Sequence, residues 1–407
     1  MRLLISGRLG RSALVSGPVL ALALVAMQPV QGQNFTLLYT FPGGAGGATP
    51  LATPLLYLGD ICGTTVAGGA YGNGTVYAVN FDSRIETVLH SFTGGKDGAD
   101  PIGGLVQDST GNFYGVAYRG GPNNYGTVFE LSPAGVFTLL HSFVNPPSNG
   151  WGPTGTLAIN SAGDLFGTTY AGGGGIYTGG GGQALDIGTI FEIPSGGAFT
   201  ILRRFNPGGA LPRAGLYLES GTFYGTSAGD DVALSGGAVF EHGVALPLYN
   251  FTGGTDGSQP LGGVIGDGLG NLYGTTSSGG SGYFGEGNGV VFELNIATKA
   301  ETVLHTFTGV PDGAVPTASL AWDSLGNLYG TTSLGGTFGF GTVFELTKPA
   351  TPGGPWTEVI LYNFTGGADG ANPFAGVLVD SNNNVWGAAS AGGSGFGTLF
   401  IIAPPAT

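Results

Sequence analysis

The chain has 407 residues, of which 84 are glycine and 24 are proline, and only 9% of its residues are charged. Its 11 lysines and arginines and formal charge of −14 predict a surface that repels a phosphate backbone, so nucleic acid is not an expected partner. Because 42% of the residues are apolar and the glycines recur at fixed offsets, the composition favours a folded repeat protein over disorder.

The first 32 residues are typical of a secretory signal. Three arginines precede an apolar stretch from Ala13 to Met27, which is short for a membrane span, and Val30 and Gly32 suit cleavage before Gln33. A retained membrane anchor is the alternative interpretation. After removal of the signal, we expect a secreted, extracellular monomer that is not bound to a membrane.

Residues 33–407 are predicted to form one domain made of seven repeats. The repeats align on an aromatic–glycine pair, and successive pairs are 49 to 58 residues apart. The pairs are Cys62-Gly63, Tyr114-Gly115, Phe166-Gly167, Tyr224-Gly225, Tyr273-Gly274, Tyr329-Gly330 and Trp386-Gly387. This period is typical of four-stranded propeller blades. Cys62 is the only cysteine and fills an aromatic position, so we interpret it as a buried apolar residue rather than a reactive thiol.

Each repeat contains four short apolar runs separated by turn residues. In the repeat at 316–364 the runs are "PTASLAWD", "NLYGTT", "TVFELT" and "TEVILYNF", with the loop "SLGGTFGFG" after the second. Short strands between Gly, Asn and Asp are the antiparallel pattern, and the turn "DSLGN" has glycine where a tight hairpin needs a positive φ. The recurrent "GNLYGTT" is therefore predicted to be the second strand of a blade. Its aromatic side chain is expected to pack between sheets, and its glycine to permit close approach of a neighbouring strand.

The two ends of the mature chain complement each other. The run "FTLLYTF" at 35–41 matches the fourth run of other repeats, whereas the seventh repeat ends after its third run, at 397–404. Pairing these segments completes the last blade and closes a ring without a long open edge. The expected fold is all-β, a closed seven-bladed β-propeller of four-stranded antiparallel blades. An open solenoid of seven turns is the alternative, but it leaves the complementary ends unexplained.

Three recurrent motifs carry a family resemblance. They are "LHSFTGG" followed by "DG" (89–101), "GNLYGTT" with "GG" (323–336) and "GTVFEL" (126–131 and 341–346). Through them the mature chain resembles the GloVer-type tandem-repeat family of bacterial exported proteins. The resemblance implies export and, in many members, attachment to the cell surface through a C-terminal tail. This chain stops at Thr407 without such a tail, which favours release. The resemblance implies no activity and brings no catalytic residues.

Propeller loops fall on two faces, and the longer, more variable loops of this chain share one of them. These are the "FTGGxDGxxP" and "TTxxGGxxGxG" loops, and we expect their face to bind a ligand. Its repeated aspartates are Asp97, Asp256, Asp312 and Asp369. One aspartate per blade cannot build a single Ca²⁺ site, because such a site needs several converging oxygen ligands. Each is expected to cap its own turn, with Ca²⁺ binding inside single loops as the alternative.

The histidines offer no shared metal site. His90, His141 and His305 occupy one repeat position that holds tyrosine elsewhere, which indicates strand packing with a polar tip. Whole blades separate these three residues. His242 departs from the repeat after "VFE" and is a candidate for catalysis.

The candidate ligand-binding residues are the departures from the repeat on the expected binding face. They cluster in blades two to four and are Tyr118, Arg119, Tyr170, Tyr177, Asp186, Arg213, Asp230 and Asp231. A ligand without sevenfold symmetry must use unequal loops, and Arg213 follows Pro212 at a position expected near the mouth of the central channel. Ordinary divergence of surface loops is the alternative explanation.

Two functions of different class fit these residues. The first is a secreted propeller that binds an extracellular ligand, a glycan above all, without catalysis. The second is a polysaccharide lyase or glycoside hydrolase that acts on an acidic polysaccharide at the same face. If the protein is an enzyme, its candidate catalytic residues are Tyr118, Arg119, Arg213, Asp230 and His242. A lyase fits these residue types better than a hydrolase, which needs two separated carboxylates.

Overall fold

A computed structural model describes residues 33–144, 149–173, 177–178, 184–185, 188–205, 211–229, 236–244, 246–281 and 285–405. The predicted signal at 1–32 lies outside these ranges, as do Asp186, Asp230 and Asp231. All regular elements in the described part of the chain are β-strands. No helix that is long and apolar enough to cross a membrane occurs in the same ranges.

The strands form seven four-stranded antiparallel blades around a central channel. The inner strands, numbered here from blade one to blade seven, are Leu55–Tyr57, Val106–Gln107, Ala158–Ile159, Tyr217–Glu219, Ile265–Gly266, Ala321–Trp322 and Leu378–Val379. The second strands are Asp60–Thr65, Phe113–Ala117, Leu165–Ala171, Thr222–Ser227, Asn271–Thr276, Leu328–Thr332 and Val385–Ala389.

The third and outer strands complete each blade. The third strands are Thr75–Asn80, Thr127–Leu131, Thr189–Ile193, Ala238–Glu241, Val290–Asn295, Thr342–Thr347 and Thr398–Ala403. The outer strands are Glu86–Ser91, Phe137–Ser142, Thr200–Arg204, Tyr249–Asn250, Glu301–Thr306, Thr357–Asn363 and, in blade seven, Asn34–Thr40. Shorter strands in the loops are Gly47–Ala48 with Ala67–Gly68, Trp151–Pro153, Tyr177–Thr178 with Ala184–Leu185, and Gly313–Ala314 with Leu334–Gly335.

The N-terminal strand closes the ring. Asn34–Thr40 pairs antiparallel with Thr398–Ala403, with Asn34 opposite Ala403 and Thr40 opposite Thr398. This confirms the closed seven-bladed propeller and the exchange of strands between the two chain ends. Closure gives Thr398–Ala403, the third strand of blade seven, a partner on both sides, so no hydrophobic strand edge is left open there.

The glycine of "GNLYGTT" makes room for an aromatic ring of the neighbouring strand. A Cβ built on Gly274 would lie 2.7 Å from Cζ of Phe292, which stands on the third strand of the same blade. The equivalent glycine in every other blade faces a tyrosine or phenylalanine at the same third-strand position. The expected close approach of a neighbouring strand is therefore confirmed, and it is made by an aromatic side chain of the third strand in the same blade. Each of these rings is buried.

The other residues of the "GNLYGTT" motif form hydrogen bonds that stabilise the first hairpin turn and the contact with the next blade. The Asp267 carboxylate accepts hydrogen bonds from the backbone N–H and side-chain amide of Asn271, which fixes the first hairpin turn. The Thr275 hydroxyl donates to the carbonyl of Ala318, in the loop that enters the next blade, at 3.0 Å. Five blades carry this threonine and make the same bond to the following blade. The recurrent sequence thus specifies both the blade and its junction with the next.

Candidate functional site

The propeller has two faces, which differ in their loops. The turns between the first two strands and between the last two strands of a blade form one face, called here the turn face. The loops between second and third strands, and those that join successive blades, form the other, called here the loop face. The loop face carries the long, variable loops that the sequence predicts to bind a ligand.

The loops that join successive blades surround the channel mouth on the loop face. Each loop turns inward through a residue with left-handed backbone before a proline, with φ of 54° at Asp100 and 64° at Leu211. The residue after each proline lines a cavity of about 180 Å³ at the mouth. These seven residues are Leu51, Ile102, Thr154, Arg213, Leu261, Thr317 and Phe374. Arg213 is the only charged member, so the mouth carries its positive charge at the entry to blade four.

Three aromatic rings follow one another on the loop face beside Arg213. The Trp151 ring centroid lies 6.5 Å from that of Tyr118 and 5.9 Å from that of Tyr170, and the Trp151–Tyr170 contact is edge-to-face. Tyr125 flanks Trp151 at 6.3 Å. All four rings are half-buried. Tyr118, Trp151 and Tyr170 come from blade two, the blade-three entry loop and blade three, and together they are called here the aromatic strip.

An arginine stands at each end of the aromatic strip. The Arg119 guanidinium carbon lies 5.7 Å from the Tyr118 ring centroid, and the Arg213 guanidinium carbon lies 4.8 Å from the Tyr170 centroid. Arg213 also donates a 3.4 Å hydrogen bond from Nη2 to the Tyr170 hydroxyl. The two distances from guanidinium carbon to ring centroid are within the range of cation–π attraction, which orients each guanidinium along the strip.

Local repeat positions explain how the strip forms. Tyr118 and Tyr170 occupy the position of Ser277, Ser333 and Ser390, whose hydroxyls donate to a backbone carbonyl of the adjacent loop. A tyrosine is too long for that bond, so its ring extends over the entry loop of the next blade. The Tyr118 ring lies on Gly152, where a Cβ would come within 2.7 Å of it. Glycine at this position therefore lets the ring approach the loop closely.

Trp151 belongs to the site but is not among the residues that the sequence predicts for it. Its repeat position holds alanine or serine in the other blades: Ala48, Ala99, Ala210, Ser258, Ala314 and Ala371. That replacement of a small residue by the largest side chain was a usable signal, because the position lies beside two other departures from the repeat.

The structure brings together four of the predicted ligand-binding residues: Tyr118, Arg119, Tyr170 and Arg213. The backbone of Tyr177 lies in the short strand Tyr177–Thr178 of the same long loop, and its side chain is outside the described part. Asp230 and Asp231 lie outside the described residues, so their place in the site stays a prediction.

His242 lies apart from these residues, on the turn face. It follows the third strand of blade four, and its ring meets Phe223 edge-to-face at 5.9 Å. Burial, together with the positive charge of Arg203, lowers the pKa of its imidazole. His242 and the aromatic strip lie on opposite faces of the propeller, so its side chain is too far away to take part in catalysis at the strip.

The repeated aspartates of the loop face cap their own turns, as the sequence predicted. Asp369 accepts hydrogen bonds from the Thr365 backbone N–H at 2.8 Å and from the Tyr362 hydroxyl at 3.1 Å. His90 meets Asp97 in the same way, with 3.1 Å between Nε2 and Oδ2. The repeat position that holds either histidine or tyrosine therefore supplies a hydrogen-bond partner for this aspartate. Binding of Ca²⁺ inside single loops remains a prediction.

The charges on the loop face determine what the site can do. Arg119 forms an ion pair with Asp100 at 3.4 Å, but its side chain is 61% exposed, so solvent weakens that pair. Both arginines are thus open to a competing anion. Planar guanidinium groups bind carboxylates through two parallel hydrogen bonds. The half-buried aromatic rings between them offer apolar surface of the kind that stacks on a ring-shaped ligand.

Solved structures share this fold at low sequence identity. A chain of the Mitotic Checkpoint Complex crystal structure aligns with a TM-score of 0.55 and 12% identity, over 98% of this chain and 99% of that chain. The oligogalacturonate lyase from Vibrio parahaemolyticus aligns with a TM-score of 0.53 and 11% identity, over 91% of this chain and 97% of that chain. At these identities the likeness shows the fold alone.

A search of curated proteins finds no match. A family model described as the Gloeobacter/Verrucomicrobia repeat matches residues 22–240 and 235–407. The two matches together span most of the chain and all seven blades. The chain is therefore a member of the Gloeobacter/Verrucomicrobia repeat family.

Proposed function

We propose that this protein is a secreted, monomeric propeller that binds a carboxylated oligosaccharide on its loop face. The observation that supports the proposal is the aromatic strip with an arginine at each end. The strip and its two arginines come from blades two to four, which also hold most departures from the repeat. A ligand bound there would lie beside the channel mouth and contact unequal loops of neighbouring blades.

The aromatic rings supply the non-polar part of the interaction. Tyr118, Trp151 and Tyr170 are half-buried, so each presents part of its ring while the rest packs on the protein. Rings held in this way lose little conformational entropy when a ligand binds. Successive rings 5.9 to 6.5 Å apart can each contact one part of an extended chain of sugars.

The arginines supply selectivity for acidic sugars. The mature chain has only five arginines, and two of them stand at the ends of the strip. In a chain with a formal charge of −14, an acidic ligand is repelled by most of the surface. Arg119 and Arg213 are therefore the local positive charges that make this region favourable for a carboxylate. Ionic strength should weaken the interaction, because both side chains are exposed.

A lyase reaction is the second candidate, and the contact between Arg213 and Tyr170 favours it. In such a reaction a base removes the proton from the carbon next to the sugar carboxylate, and the adjacent glycosidic oxygen leaves as a double bond forms. A guanidinium on the carboxylate stabilises the charge that develops, and a tyrosine oxygen beside it is a candidate base. Hydrolysis has less support, since Asp100 is the single carboxylate that the described residues bring to an arginine of the strip.

Calorimetric titration of the mature protein tests the proposal. We expect a uronic-acid oligosaccharide to bind and a neutral oligosaccharide of the same length to bind at least about tenfold more weakly, which corresponds to about 1.4 kcal/mol. Trp151→Ala and the double variant Arg119→Ala/Arg213→Ala should weaken binding. Charge-assisted contacts contribute about 1.5–3 kcal/mol when shielded, and the exposure of Arg119 places its share at the lower end.

Matched controls separate this site from general effects. Phe338→Ala removes an exposed ring from the same face in blade six, and Arg84→Ala removes one positive charge from the turn face. Neither should change the affinity. Equal losses in the controls and in the site variants would reject the strip as the binding site. Formation of unsaturated products, followed by ultraviolet absorbance, would establish the lyase reaction in place of simple binding.

A further inference from the structure

A second site emerges at the boundary between blades five and six. Among the described residues, one group of three side chains has its metal-ligating atoms all within 4.8 Å of one another: His305, Asp312 and Glu358. His305 stands on the outer strand of blade five, Asp312 in the loop that enters blade six, and Glu358 on the outer strand of blade six. We propose that these three residues bind one divalent transition-metal cation, with Zn²⁺ preferred over Ca²⁺, and that the ion joins the two blades.

The spacing of the ligand atoms fits such an ion. Nε2 of His305 lies 3.4 Å from Oδ2 of Asp312 and 3.5 Å from Oε2 of Glu358. Zn–N bonds of about 2.0–2.1 Å and Zn–O bonds of about 2.0–2.2 Å place tetrahedral ligands roughly 3.3–3.5 Å apart. An imidazole nitrogen beside two carboxylates suits Zn²⁺, whereas Ca²⁺ prefers six to eight oxygen ligands.

Unsatisfied buried atoms are a second, independent observation. His305 Nε2 and Glu358 Oε1 are both shielded from solvent and make no hydrogen bond among the described residues, although Nε2 makes ion-pair approaches to Asp312 and Glu358. The three side chains are only 12–21% exposed. Buried polar atoms normally find a partner, because an unpaired one costs about 1–3 kcal/mol. A cation between the three side chains would bind His305 Nε2 directly and neutralise the Glu358 carboxylate to which Oε1 belongs.

The loop around Asp312 fixes the orientation of its carboxylate through hydrogen bonds. Oδ2 accepts hydrogen bonds from the Thr308 backbone N–H at 2.8 Å and from the Thr308 hydroxyl at 3.1 Å, and Oδ1 accepts one from the Gly313 N–H at 2.5 Å. Such outer contacts orient ligating carboxylates in metal sites. The ligand positions therefore come from two paired outer strands and one hydrogen-bonded loop.

The repeat supplies internal comparisons. At the boundary of blades one and two, His90 and Asp97 are present, but Phe137 takes the place of Glu358 and stacks on His90 at 4.2 Å. At the boundary of blades four and five, Glu301 and Asp256 are present, but Tyr249 takes the place of His305. Of the boundaries whose three positions are all described, only that of blades five and six combines His, Asp and Glu.

The experiment measures binding of Zn²⁺ alone to the chelator-treated mature protein by calorimetry and by elemental analysis after dialysis. We expect one Zn²⁺ per chain, a raised melting temperature with Zn²⁺, and no comparable effect of Ca²⁺. His305→Tyr should reduce Zn²⁺ affinity by at least about 100-fold, since one of three ligands is lost. Tyrosine already stands at this position in other blades, so the variant should fold.

His90→Tyr is the matched control, because it makes the same change where the third ligand is missing. It should leave the stoichiometry and affinity unchanged. Tetrahedral Co²⁺ absorption bands, seen in the wild type and in His90→Tyr but lost in Glu358→Gln, would confirm the ligands. Wild-type protein without stoichiometric Zn²⁺, or equal Zn²⁺ binding by His305→Tyr and the wild type, would overturn the proposal.

Discussion

Removal of the N-terminal strand should open the propeller. In the strand and the residue that follows it, Leu38 is 4% exposed and Phe41 is fully buried, while Phe35 stacks on Tyr362 with 3.8 Å between ring centroids. Burying a Leu or Phe side chain stabilises a protein by about 1.5–3 kcal/mol, so Leu38 and Phe41 alone contribute about 3–6 kcal/mol. Total stabilities of about 5–15 kcal/mol make this a large fraction.

The deletion also exposes the edge of Thr398–Ala403, whose sequence is "TLFIIA". An open hydrophobic edge pairs readily with other chains, so the variant should aggregate as well as melt earlier. The assay compares a chain that begins at Gln33 with one that begins at Pro42, by thermal unfolding in circular dichroism and by size-exclusion chromatography. A synthetic peptide of residues 33–41 should restore part of the lost stability. Equal melting temperatures for the two chains would refute closure by this strand.

Three further changes test the packing and electrostatics of the blades. Gly274→Ala places a Cβ against Phe292 and should lower stability by about 1–3 kcal/mol, as measured by urea unfolding; an unchanged midpoint would contradict the packing of this ring. Thr331→Val removes the 2.7 Å hydrogen bond to the Ala375 carbonyl and should lower the free energy of unfolding by about 0.5–1.5 kcal/mol. Valine should fit, because Val116 occupies the equivalent position in blade two. An unchanged free energy of unfolding would mean that the bond contributes nothing. Burial, reinforced by the charge of Asp256, raises the pKa of Glu301 from 4.5 to about 7. The native state then holds a proton that the unfolded chain releases, so this group's stabilisation is complete below pH 4.5 and is lost as pH rises through about 7. Relative to Glu301→Gln, the wild-type melting temperature should fall between pH 5 and pH 8, and parallel pH profiles would reject the assignment.

The order of the blades could be predicted from the sequence because each blade is specified locally. A run such as "GNLYGTT" contains the turn cap, the strand, the glycine beneath Phe292 and the threonine that reaches the next blade. Repetition of that run sets the number of blades, and the spare fourth run at 35–41 indicates where the ring closes. The glycine was predicted to admit a neighbouring strand, and the side chain of that strand which fills the space, Phe292, was left open, because a sequence shows that space is needed without showing what fills it.

The sites depend on residues that only the tertiary structure brings together. Position in a repeat predicted that Tyr118, Arg119 and Arg213 share a face, but their order along the aromatic strip depends on Trp151, whose ring direction is not encoded in any local pattern. His305, Asp312 and Glu358 illustrate the same limit, since each is an ordinary variant of its own repeat position. Their convergence requires two adjacent blades at a fixed rotation, which is a property of the closed ring. The sequence by itself therefore determined the architecture through local repetition, whereas contacts between unlike residues on neighbouring blades were decided by tertiary packing.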